Sequence, residues 1–375
     1  MNNNQQLRQA ALRRQRTERF LSTLRHNQPI SRIELANLTG MSPASVTRFV
    51  NVLTALGLVR EVSVIGSSGR GRRAVSLHTH ADGAYALGFH IAPNSLRCCL
   101  MDFDGVVRAA REVPLAPEDR DPSRLSALAG ALAEQTLPAD SSRVLAAGIS
   151  VSGQIDMRTG LVLHSKAFGW TNADLAGPFA AALGLPVRIE NDVKSCLTWE
   201  GVRRGYLENR QDIAYLYIGR AGVGFANSVE GRLVRGARNA AGEIEDVVLS
   251  MEERLGDRLM EDSLVTRARR CSPSVSGIGD ILAAHRMGIP WARMLMDDFA
   301  NQLNLLLQLV FALLDPHEII LGGDMADALR DRPELILDSR CAFGENFEDA
   351  CARGAAFIAM CEAALDQADA LFEAE

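Results

Sequence analysis

The sequence predicts a winged helix-turn-helix head joined to an α/β body of two lobes. Three observations carry this prediction. Residues 1–80 hold 12 arginines, no lysine and three glutamates, a net +9, whereas the rest of the 375-residue chain carries −15. Apolar residues in the head recur at helical spacing around a glycine turn. Beyond Ala84, β-rich runs alternate with helical stretches, the pattern of an α/β domain with mixed sheets.

In the head, Phe20, Leu21, Leu24, Ile30, Ile33, Leu35, Leu38, Val46, Phe49, Val50, Leu53 and Leu56 fit three helices. The first runs from about Leu7 to His26. The second starts at Ser31, with Glu34 three residues on as the partner of a capping box. Thr39-Gly40-Met41 is a tight turn in which Gly40 takes a positive φ. Ser42 caps the third helix, and Pro43 occupies its first position, where the missing N–H costs nothing. A helix, a short glycine turn and a second helix make a helix-turn-helix. Val46, Phe49, Val50 and Leu53 face the core, leaving Ser42, Ala44, Ser45, Thr47, Arg48 and Asn51 to meet a major groove. Two short strands then flank Gly66–Arg73, a wing whose Arg70, Arg72 and Arg73 suit phosphates or a narrow minor groove. A basic head on an acidic body is the footprint of a reader of double-stranded DNA.

The body begins with strands at Tyr85–Ile91, Leu96–Asp102 and Val106–Val113, turning at Asp104-Gly105. A helix over Pro122–Gln135 and strands at Val144–Val151, Val187–Ile189, Ile213–Ile218 and Glu318–Leu321 follow. Two hairpin-plus-helix lobes suggest a cleft between them. Leu303–Leu314 is apolar nearly all round but too short to span a membrane, so it reads as a buried or interface helix. Gly354–Phe372 is an amphipathic helix. The N-terminus lacks an apolar signal core, and the seven scattered cysteines read as reduced, mostly buried thiols of a cytoplasmic protein.

These motifs, in their order, resemble the ROK family of repressors and sugar kinases. The resemblance rests on Ser68-Gly69-Arg70-Gly71-Arg72 in the wing, Gly148–Asp156, Glu190-Asn191-Asp192, Gly219–Gly224, Gly236–Ile244 and Leu321-Gly322-Gly323. It implies a sugar-kinase, actin-like fold behind the winged helix-turn-helix. It divides the chain into a head at 1–80, a first lobe at 81–195 with the terminal helix 354–375, and a second lobe at 196–353 that supplies a cleft wall and oligomerisation. It further implies that Asp192 stands where the kinases keep their catalytic base, and that Asn191, Glu243 and Glu261 hold sugar hydroxyls.

The chain also departs from the family. Where the kinases read Asp-x-Gly-Gly-Thr, this sequence reads His90-Ile91-Ala92-Pro93-Asn94. The carboxylate is gone and Pro93 lacks an amide donor. Where the family places a histidine and three cysteines around a structural zinc, Glu245-Asp246 follows Ile244, and 247–263 contains no cysteine. No metal or other cofactor is expected, and Asp192 becomes a vestigial base. Asp246 turns one pocket wall from a donor into an acceptor. The expected function is a sugar- or polyol-gated regulator, a repressor of carbohydrate genes, that binds an inverted-repeat operator as a homodimer or tetramer without touching a membrane. Two alternatives stay open: an active sugar kinase with a DNA-binding head, and a regulator answering to a protein partner.

Overall fold

The computed structural model describes residues 3–63, 75–138, 140–207 and 209–374. The chain divides into two compact units, Met1–Glu190 with Ala352–Glu375, and Asn191–Cys351.

The head consists of α1 (Asn3–Asn27), α2 (Arg32–Thr39), α3 (Pro43–Ala55), β1 (Val59–Ser63) and β2 (Val75–Thr79). β1 and β2 pair antiparallel from Val59↔Thr79 to Ser63↔Val75, as strands flanking a wing must. The wing tip, with Arg70, Arg72 and Arg73, lies outside the described residues. Phe20, Leu24, Leu35, Val46, Val50, Leu53 and Leu77 fill the core. Two residues of the helical pattern point elsewhere: Ile33 and Leu38 are 76% and 51% exposed. α2 has only eight residues and buries a narrow stripe, Leu35, Ala36 and Thr39, which excludes both.

The first lobe follows with β3 (Tyr85–Ala92), β4 (Ser95–Asp102), β5 (Val107–Pro114), α4 (Pro122–Glu134), β6 (Val144–Val151), β7 (Gln154–Asp156), β8 (Leu161–Ser165), β9 (Trp170–Asp174), α5 (Ala176–Leu183) and β10 (Val187–Asn191). The main sheet has the order β10-β6-β3-β4-β5, with β3 parallel to β6 and antiparallel to β4. β3, β4 and β6 are buried almost throughout, so they read as continuous apolar runs. The edge strand β5 is largely exposed. Asp121 starts α4 by accepting from the Ser123 amide at 2.9 Å ahead of Pro122.

The second unit contains α6 (Asp192–Arg203), β11 (Ile213–Ile218), β12 (Val223–Val229), β13 (Arg232–Leu233), α7 (Leu255–Leu259), α8 (Glu261–Arg269), α9 (Ile278–Arg286), α10 (Pro290–Leu314), β14 (Glu318–Gly322), α11 (Asp324–Leu329) and β15 (Cys341–Phe343). Its sheet runs β13-β12-β11-β14-β15, with β14 parallel to β11 and to β15. Leu216, Phe225, Leu259, Phe299, Leu303 and Ile319 lie at its core. α10 buries Leu303, Leu307 and Phe311 and leaves Leu305, Leu309 and Leu313 exposed, so this apolar helix is only half covered within the chain.

The last helix, α12 (Phe347–Ala374), starts at Phe347 rather than Gly354 and belongs to the first unit from Ala352 onward. It lies directly on the first lobe's sheet. A Cβ added at Gly88 would come 2.0 Å from the Ala352 carbonyl oxygen, and one at Gly148 would come 1.9 Å from that of Ala355. Only glycine in the strands lets the helix backbone approach so closely. Farther along, α12 meets the head. Arg13 reaches Asp369 at 3.1 Å, and Arg14 reaches Asp366 at 2.6 Å. Pairs of this kind, part-buried for Arg13 and exposed for Arg14, contribute only about 0.2–1 kcal/mol each. The stronger hold is aromatic. Arg25 lies 4.9 Å from the ring centroids of both Phe103 and Phe357, and the Phe49 ring lies 5.4 Å from Phe20 and 5.0 Å from Phe372. Contacts of these kinds contribute about 0.5–2 kcal/mol each. Among the described residues, no helix is long and apolar enough to cross a membrane.

Candidate functional site

Two surfaces carry the chemistry predicted from sequence. The first is the face of α3. The capping box forms as read: the Glu34 amide donates to Ser31 Oγ at 3.2 Å, and the Ser31 amide donates to Glu34 Oε2 at 2.9 Å. These bonds hold the Glu34 carboxyl below its usual range. Gly40 turns the chain at φ +68°. Ser42 then caps α3, its Oγ accepting from the Ser45 amide at 3.2 Å. Ala44, Thr47, Arg48 and Asn51 are exposed, Ser42 is exposed at the helix start, and Ser45 is half-buried. That is an α-helical face of small and polar side chains, suited to base edges.

Sequence reasoning missed what stands beside that face. The Arg48 guanidinium lies 5.1 Å from the Phe372 ring centroid and donates to the Phe372 carbonyl at 3.4 Å. The next residue, Phe49, is the one that packs on Phe372. A cation at the last carbonyls of a helix also meets the negative end of its dipole. The terminal turn of the body's last helix therefore rests on the reading helix of the head. No local signal in the sequence announces a contact between residues so far apart in the chain.

The second surface is in the second unit, at the start of α6. Asn191 is its N-cap, Oδ1 accepting from the Lys194 amide at 3.1 Å. Asp192 is 8% exposed, and its Oδ1 accepts from the Val193 amide at 2.8 Å. Burial pushes its carboxyl up to about 6, against the amide bonds and Lys194, which pull it down. The Lys194 ammonium, itself buried, donates to the Asn239 carbonyl at 3.5 Å and ties α6 to the loop that carries Glu243. Gly242 seats that loop on β12: it adopts φ +98°, and a Cβ there would stand 1.9 Å from the Phe225 carbonyl oxygen. Glu243 and Asp246 are exposed.

Glu245 and Glu261 have structural partners. Glu245 Oε2 accepts from the Val223 amide at 3.3 Å, which places a carboxylate against the Gly219–Gly224 loop. Glu261 Oε1 accepts from the Ile278 amide at 3.0 Å, at the first residue of α9. The structure thus brings the start of α6 and the Glu243 loop together and gives one oxygen of Glu261 to a helix start. A surface depression at the α9–α10 corner, lined by Gly288, Pro290, Arg293, Met294, Asp297, Asp298 and Asn301, includes none of these residues. Among the described residues, no group of three or more His, Cys, Asp or Glu is placed to hold a metal ion.

Comparison with known proteins gives concordant matches. A profile of the ROK family matches residues 87–331, and one for winged helix-turn-helix DNA binding matches residues 15–60. A transcriptional regulator of Mycobacterium tuberculosis is 28% identical over 336 residues, 84% of this chain and 75% of that protein. The xylose repressor of Bacillus subtilis is 27% identical over 228 residues, 60% of this chain and 58% of the repressor. The crystal structure of a ROK family transcriptional regulator, a homologue of the E. coli MLC protein, superposes with a TM-score of 0.77 at 21% identity, covering 96% of this chain and 98% of that one. A ROK hexokinase from Thermus thermophilus gives 0.60 at 21% identity over 74% of this chain and 98% of the kinase. At these identities the two structures speak to the fold.

Proposed function

Since the chain belongs to the ROK family and carries a winged helix-turn-helix ahead of the ROK domain, we propose that it is a repressor of carbohydrate genes, gated by a sugar or polyol that its body binds but does not phosphorylate. The observation that carries this reading is the contact of Arg48 and Phe49 with Phe372. The helix that would read DNA is packed on α12, and α12 is seated through Gly88 and Gly148 on the sheet of the first lobe. A ligand that favours one placement of α12 alters the head, and differential affinity is all that allostery requires.

The effector falls to Asn191, Asp192, Glu243 and Asp246, with Glu261 as a contributor through the carboxylate oxygen that does not face Ile278. Amide and carboxylate groups suit hydroxyls, which both donate and accept. So many carboxyl groups disfavour a phosphorylated ligand and favour a neutral or cationic polyol. Magnesium-ATP fits poorly. His90 is buried where the kinases need a carboxylate, Pro93 offers no amide, and the Val223 amide of the second loop already serves Glu245. On DNA, Ser42, Ala44, Ser45, Thr47, Arg48 and Asn51 read the major groove. Arg70, Arg72 and Arg73 hold the backbone or minor groove, and paired heads of a homodimer or tetramer take the two halves of an inverted repeat.

One observation favours the kinase alternative: a carboxyl near 6, as at Asp192, is suited to general-base work near neutral pH. Thermal melting decides between the readings, with sugars, sugar alcohols and amino sugars in one arm and magnesium-ATP in another. A ligand at about 100 times its dissociation constant adds about 2.7 kcal/mol. The expected result is a rise with one polyol and none with ATP. A rise with ATP would revive the kinase. Silence in both arms would favour a protein partner, for which the exposed Val247, Val248, Leu249 and Met251 offer an apolar ribbon.

A further inference from the structure

The repressor reading leaves one pair of facing thiols unused. Cys196, in the second turn of α6, and Cys351, in the second turn of α12, are fully buried and face each other with 3.2 Å between sulfurs. A disulfide needs about 2.05 Å, so the pair has roughly 1.2 Å to close. Each thiol also has a backbone partner. Cys351 Sγ donates to the Asp192 carbonyl at 3.6 Å, and Cys196 Sγ donates to the Phe347 carbonyl at 3.4 Å. The buried neighbours Cys98 and Cys99 offer no such pairing, because consecutive residues of a strand point to opposite faces.

We infer that Cys196 and Cys351 are a dithiol oxidised by peroxide, and that the resulting disulfide is a second input to the regulator, joining α6 to α12 beside Asp192. The steps balance. One thiolate attacks hydrogen peroxide: an S–O bond forms, the O–O bond breaks, and the departing hydroxide takes the thiol's proton as water. The second thiolate attacks that sulfenic sulfur: the S–S bond forms, the S–O bond breaks, and hydroxide leaves with the second proton as another water. Each sulfur loses one electron and the peroxide gains two. A small oxidant suits a buried pair. Burial pushes the Cys196 thiol up, so the thiolate is scarce and the reaction is slow at rest. Once formed, the link removes the S–H donors from the Asp192 and Phe347 carbonyls and closes a loop across a sequence separation of 155. Loop closure of that length raises thermal stability. The effect on effector binding rests on the reading of Asp192 as an effector contact; the cross-link itself does not.

The test is a peptide map of the full-length reduced protein after graded exposure to hydrogen peroxide, unfolding and alkylation. A linked Cys196–Cys351 peptide that separates into two alkylated peptides on reduction is the expected product. The oxidised protein should melt higher, and its melting shift with the effector polyol should shrink and return with reductant. Cys196→Ser and Cys351→Ser should each abolish the link and keep the polyol response after peroxide. Recovery of both cysteines as free thiols, or as separate sulfinic and sulfonic acids, would overturn the proposal without recourse to the variants. A linked peptide with an unaltered polyol shift would overturn its regulatory half. Failure of the reduced protein to respond to any polyol would instead refute the polyol-gated reading, with the peptide map still deciding the cross-link.

Discussion

Asp192 is pulled two ways. Its place in the first turn of α6 and the Val193 amide favour the anion, while burial disfavours it, and burial wins: the carboxyl titrates near 6. Stability follows by counting protons. Between about pH 4 and pH 6 the folded chain holds a proton that the unfolded chain has lost, so stability falls as pH rises through this window and is flat above it. Asp192→Asn keeps an oxygen for the Val193 amide but removes the titration. Relative to wild type, it should gain up to about 3 kcal/mol between pH 4 and pH 7, the size of a shift of two units. Melting curves across that range check this, and parallel curves would show that Asp192 is ionised as easily as in water. The same variant should lose the polyol response. Asn191 and Asp192 were singled out by the Glu190-Asn191-Asp192 motif, and the structure makes Asn191 the N-cap of α6. Glu245 was not legible as a partner of Val223, since nothing local joins β12 to a loop some twenty residues on.

At the scale of the element, α12 depends on glycines that are not its own. Gly148→Ala puts a methyl on the Ala355 carbonyl, and a strand in a packed sheet cannot yield without moving the helix. The expected cost is about 1–3 kcal/mol or more. A control is Gly279→Ala in α9, where an added Cβ meets nothing within 4 Å. It should be neutral or stabilising by up to about 1 kcal/mol. Equal melting temperatures for the two variants would refute the close seating of α12. Elements with strong periodicity were read nearly to the residue: β6 and β11 run from Val144 to Val151 and from Ile213 to Ile218, as the apolar runs predict. The start of α12 was misplaced because Phe347–Arg353 mixes acidic and small residues without an amphipathic face. α7 to α9, of five, nine and nine residues, went unread for another reason: short helices leave little period to detect.

For the whole molecule, the question is what passes between the body and the head. Partition of the charge between the first eighty residues and the rest, and the order of motifs, made the two parts legible. The joint was not, because Phe372 and Phe49 are more than three hundred residues apart in the chain. If α12 carries the signal, Phe372→Ala should separate the two functions. The ring packs on Phe49 and Arg48, inside the first unit, so the melting shift with polyol should persist. Operator affinity without effector should stay within a few-fold of wild type, or rise as Arg48 is released toward phosphate. The response should not survive: where wild type loses affinity by roughly 10–100-fold on adding effector, the range of ordinary coupling energies, the variant should lose almost none. Titration of operator DNA by both proteins, with and without polyol at one fixed salt concentration, makes the comparison, since phosphate contacts make any affinity salt-dependent. An undiminished response in the variant would move the signal off α12 and leave rearrangement between subunits as its carrier.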